Sequence, residues 1–67
     1  MSKKDYIAIA KTIKAQAEGI NARTDLSQEQ TVAKMDTLEA TARNLAQIFG
    51  EGNPRFDTAR FLTACGF

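Results

Sequence analysis

Between Gln28 and Phe49 the apolar residues Met35, Leu38, Ala42, Leu45 and Phe49 recur in alternating steps of three and four. That spacing lines them along one face of an α-helix and does not fit the strict alternation of a half-buried strand. The stretch would be roughly 33 Å long at 1.5 Å per residue. An apolar stripe of that length must be covered by something, and the flanking segments are read for what can cover it. Ser27 followed by Gln30 marks the start, because a serine at the cap and a glutamine three residues on satisfy each other's backbone amides.

The first cover is upstream. Tyr6, Ile9, Ala10, Ile13, Ala17 and Ile20 form a second stripe at helical spacing, with Lys4 and Lys11 nearly opposite and Lys14 and Glu18 on the polar flank. Ser2 is placed to cap this helix, and Asp5 suits the positive end of its dipole. Gly19 weakens its last turn, and an end near Asn21–Arg23 in a left-handed conformation is expected.

Gly50-Glu51-Gly52-Asn53-Pro54 breaks the central helix. Pro54 lacks an amide donor and pushes Asn53 out of the helical region. Gly50 is expected to take the left-handed cap position, ending the helix at Phe49.

The second cover is downstream. Asp57 reads as a cap, with Phe56 before it and Phe61 at the spacing of a hydrophobic staple. Gly66 falls where a left-handed residue closes a helix, and Phe67 is spaced to fold back on Leu62 as in a Schellman motif. The spacing predicts a two-turn helix turning Phe61, Leu62 and Cys65 inward. So short a helix does not persist alone in water and must dock on the other two.

The fold class expected is all-α: an antiparallel two-helix hairpin with a short C-terminal third helix packed on it. It forms a single domain over residues 1–67, with helices at about 3–22, 28–49 and 57–65.

Sixty-seven residues are near the lower limit for one core, burying roughly 60% of the unfolded surface. One cysteine allows no internal disulfide, and no histidine means no zinc-finger pattern. A lone cysteine fits a reducing compartment, and neither a leader nor an apolar run of membrane length is evident, so a cytoplasmic location and no membrane partner are expected. Nine basic against eight acidic residues leave a charge of +1, which does not point to nucleic acid. Residues 1–23 carry five basic and two acidic groups and residues 24–49 two and four, a bias that favours antiparallel docking of the two helices.

The tail Asn53-Pro54-Arg55-Phe56-Asp57-Thr58-Ala59-Arg60-Phe61-Leu62-Thr63-Ala64-Cys65-Gly66-Phe67 resembles the NPRFDxxRFLxACG ending of many short, mostly uncharacterised proteins of phages and prophages. The opening Lys3-Lys4-Asp5-Tyr6, with Ile7 and Ile9, is similar to the start of the same group. The resemblance implies a phage-type setting and a small helical fold, and it carries no catalytic residues to transfer. Staple and cap chemistry accounts for Phe56, Asp57, Phe61, Leu62 and Gly66 without a functional site.

No catalytic, cofactor-binding or metal-binding residue is expected. Without histidine the commonest general base is missing, and Asp25, Glu29, Asp36 and Glu39 lie at ordinary surface spacing. Cys65, flanked by Phe61 and Leu62, reads as a buried small hydrophobe rather than a nucleophile. Arg55 and Arg60 are the best recognition candidates, although Glu51, Asp57 or a carboxylate of the central helix is expected to pair with them. Ile7, Val32 and Ile48 fall off the stripes and suggest a second contact surface, taken here as that of a homodimer. The leading function class is a non-enzymatic accessory protein that binds another protein, inhibition of a host defence or regulatory complex being one form. A small nucleic-acid-binding regulator, not favoured, and a structural or assembly subunit stay open.

Overall fold

The computed structural model describes residues 1–67 and is all-helical: α1 Lys3–Ala22, α2 Gln28–Gly52 and α3 Thr58–Cys65. The longest dimension is 41 Å and the other two are 18 and 14 Å. Since α2 alone spans roughly 37 Å at 1.5 Å per residue, the two long helices lie side by side along the long axis. The short connection at 23–27 then makes them antiparallel. No helix is long and apolar enough to cross a membrane.

Local chemistry sets the helix ends. At the start of α1 the Asp5 carboxylate accepts the Ser2 amide at 2.8 Å and the Ser2 hydroxyl at 3.2 Å. These bonds to the charged form hold the Asp5 carboxyl below its ordinary range. At the start of α2 the Gln30 amide donates to Ser27 Oγ at 3.1 Å and the Ser27 amide donates to Gln30 Oε1 at 2.9 Å, the reciprocal cap expected. Between them α1 ends without the left-handed residue anticipated: Arg23 is extended at φ −72°, ψ 136°. Its guanidinium forms a fork on Asp25 at 3.0 and 2.6 Å, so this end is tied by a side-chain pair.

The end of α2 corrects the sequence reading. Gly50 and Gly52 are helical, and the only residue with positive φ is Gly66. A glycine permits a left-handed cap without compelling one. Pro54 does compel an end, and the helix runs until Asn53, extended at φ −150° and ψ 104°, as a residue before proline must be. The Asn53–Phe56 turn closes with the Phe56 amide on the Asn53 carbonyl at 3.0 Å and the Arg55 amide on Asn53 Oδ1 at 3.0 Å.

At α3 the expected signals are all in place. Asp57 Oδ1 accepts the Arg60 amide at 3.0 Å. Gly66 is left-handed at φ 96°, its amide reaches the Thr63 carbonyl at 3.0 Å, and the Phe67 amide reaches that of Leu62 at 2.9 Å, the two bonds of a Schellman motif. The staple rings Phe56 and Phe61 have centroids 5.5 Å apart.

The core is small: Ala10, Ile13 and Ala17 from α1, Leu38, Ala42 and Ala46 from α2, Phe61 and Cys65 from α3. Met35, Leu45 and Phe49 are only half-buried, flanking a line through Ala42, which belongs to the expected stripe, and Ala46, which does not. The pairing of α1 with α3 is more extensive than that of α1 with α2, so the short helix is a full wall of the core. The charge bias between the long helices makes no contact, because both ion pairs, Arg23–Asp25 and Arg43–Glu39, are local in sequence.

Candidate functional site

The ends of all three helices meet at one pole of the molecule. Tyr6 of α1, Phe49 of α2, Phe56 of the turn and Phe61 of α3 form a ring cluster with centroid separations of 4.8 to 5.6 Å. The tilted and edge-on geometries suit the aromatic quadrupole. The cluster fixes α3 against the start of α1 and leaves a cleft of about 420 Å³ along their junction.

Tyr6, Ile7, Phe56 and Ala64 give the cleft its apolar lining, while Lys3, Arg55 and Arg60 supply cations and Asp57 the one carboxylate. Arg55 and Arg60 are exposed. Neither forms the ion pair expected of it. Asp57 is engaged as the cap of α3, and Glu51 accepts the Gln47 side-chain amide at 3.3 Å one turn back. Of the four arginines, Arg23 and Arg43 are paired with carboxylates, and the two left free line the same cleft.

Ile7, Val32 and Ile48 are 46%, 52% and 60% exposed, as their displacement from the stripes anticipated. They do not share a surface. Ile7 borders the cleft, Val32 lies in a shallow groove beside Glu29 and Asp36, and Ile48 is in neither. Val32 and Ile48 are also about 160° apart around α2 at 100° per residue, so one flat patch cannot hold both.

Cys65 is fully buried, and burial pushes its thiol above the ordinary range. No buried polar side-chain atom lacks a partner, and no group of three metal-ligating side chains comes together. Tyr6 and Phe56 were not singled out together by sequence, since 49 positions separate them. The available signal was that Tyr6 is the only aromatic residue ahead of the central helix. Comparison with known proteins finds no matching family model, no matching curated sequence and no matching solved structure.

Proposed function

We propose that this chain is a non-enzymatic, phage-type accessory protein that acts by binding another protein, with inhibition of a host defence or regulatory complex as one form of that activity. The observation that supports the reading is the cleft, in which an apolar lining is edged by arginines that have no carboxylate of their own. Exposed guanidinium groups beside aromatic and aliphatic side chains are the composition of protein-binding hot spots. The phage-type setting rests on the resemblance of the tail and opening residues.

Affinity capture from bacterial lysate, with the intact chain as bait and a double Arg55→Ala, Arg60→Ala chain as control, tests the reading. A protein retained by the first and lost from the second is the expected result. Equal recovery of every protein by both chains counts against it. A nucleic-acid role draws on the same two arginines, yet a net charge of +1 does not favour a polyanionic partner. Self-association through Ile48 or Ile7 is a separate matter for light scattering, where a mass near twice 7.3 kDa marks a dimer.

A further inference from the structure

We infer that the cleft between the start of α1 and α3 docks a short acidic segment of the partner, one with an aliphatic or aromatic anchor beside its carboxylates. The inference rests on the protein-binding reading above and adds the chemistry of the occupant.

Charge complementarity carries it. Lys3, Arg55 and Arg60 stand around the cleft against the single carboxylate of Asp57, whose Oδ1 is held by the Arg60 amide. None of the three cations has an ion-pair partner, whereas each arginine elsewhere in the chain has one. A guanidinium presents a planar fork that fits a carboxylate in two bonds, so two free forks at one cleft favour a ligand bearing carboxylates. Between the cations, Tyr6, Ile7 and Ala64 offer an apolar seat, with Ile7 nearly half exposed. A volume of about 420 Å³ suits a few side chains rather than a whole helix face. Three cations at one cleft, in a chain of net charge +1, do not make the continuous basic stripe that a nucleic-acid backbone requires.

The chain contains a test of its own. Tyr6 is its only tyrosine and it has no tryptophan, so tyrosine emission reports on the cleft when the probes lack both residues. Four probes are titrated into the full ¹⁵N-labelled chain: a short peptide with leucine and phenylalanine anchors flanked by glutamates, the same peptide with lysine for glutamate, the same with serine for the anchors, and a single-stranded oligothymidylate. The glutamate peptide alone is expected to change Tyr6 emission and to shift the amides of Tyr6, Ile7, Arg60 and Ala64. The double Arg55→Ala, Arg60→Ala chain should keep its helicity and bind about tenfold more weakly or worse, with Arg60→Lys in between because it keeps the charge and loses the fork. Equal binding of the lysine peptide, shifts elsewhere on the molecule, or no response to any peptide overturns the inference. So does an occupied cleft in the peptide-free chain that empties on dilution, which would make a second copy the occupant. If the peptides fail while lysate capture still depends on Arg55 and Arg60, protein binding stands and the acidic occupant falls. If oligothymidylate alone saturates the cleft and no protein is captured, both fall.

Discussion

The two ends of the hairpin have equally good helix signals and very different interiors. At the pole where α3 docks, the chain buries Phe61 and Cys65 against Ala10, Ala42 and Ala46 and closes a four-ring cluster. At the pole of the α1–α2 connection, from Glu18 to Thr37, no residue is fully buried. Yet that second pole holds the reciprocal Ser27–Gln30 cap and the Arg23–Asp25 fork. Caps and forks decide where helices begin and turn, and exposed ones contribute little more than that. Burial needs a third wall, since two helices cover only one face of each other.

The sharpest way to break the contrast is to remove that wall. Deleting Phe56–Phe67 should abolish cooperative unfolding and much of the far-ultraviolet helical signal. A deletion mutant with unchanged helicity and melting temperature would show that the two-helix pole is self-sufficient and that α3 is an appendage.

Single truncations should then scale with the pole they fall in. Phe61→Ala is expected to cost about 3 kcal/mol in chemical denaturation, and Met35→Ala, half-buried near the other end, markedly less. Similar costs would erase the distinction between the poles. In the opposite direction, Ala46→Leu adds three heavy atoms at a position with no exposure and should cost about 1–3 kcal/mol, whereas Ala40→Leu on the exposed side should be nearly silent.

Cys65 tests the docked pole by chemistry. A thiol reagent should modify it slowly in the native chain and rapidly in denaturant. Burial raises its pKa in the folded state, so the folded chain favours the neutral thiol. The contribution is therefore intact below the ordinary value of 9.0 and is lost as pH rises through the folded value. Cys65→Ala should flatten that alkaline loss; fast native labelling at neutral pH would place the thiol outside the core. A small effect of opposite sign is expected at Gly50. It is helical, and a Cβ there would meet only Thr58 Oγ1 at 3.9 Å, so Gly50→Ala should stabilise by about 0.5–1 kcal/mol. Destabilisation would mean that residue 50 needs a conformation alanine resists.

What could be read in the sequence was what depends on spacing along one element. The caps at Ser27, Asp57 and Gly66 and the three helices all follow from intervals of three or four residues. Gly50 does not end α2 because glycine permits a left-handed cap without compelling one, as Gly66 adopts it and Gly50 does not, whereas Pro54 compels an end. Ala46 is not marked by its interval, because alanine is common on every face of these helices and its burial is decided by the neighbour that covers it. The expected partners of Arg55 and Arg60 failed for a related reason. Closeness in sequence brings a carboxylate within reach without fixing it there, and Asp57 instead caps α3 while Glu51 accepts from Gln47. The cleft itself depends on α3 folding back to the opening of α1, which no interval encodes.

Four of the eight core residues are alanines, and this shapes how the chain responds to warming. The heat-capacity change of unfolding grows with apolar surface returned to water, about 12–15 cal/mol/K per residue in ordinary domains. A core built from methyl groups returns less, so this chain belongs at or below that range. Its unfolding enthalpy, about 0.7 kcal/mol per residue near 60 °C in typical domains, is modest at this length. A small enthalpy that changes slowly with temperature gives a low, flat stability dome. In a calorimeter the chain should show a broad, shallow endotherm in place of a sharp peak, and mild cooling should leave its stability nearly unchanged.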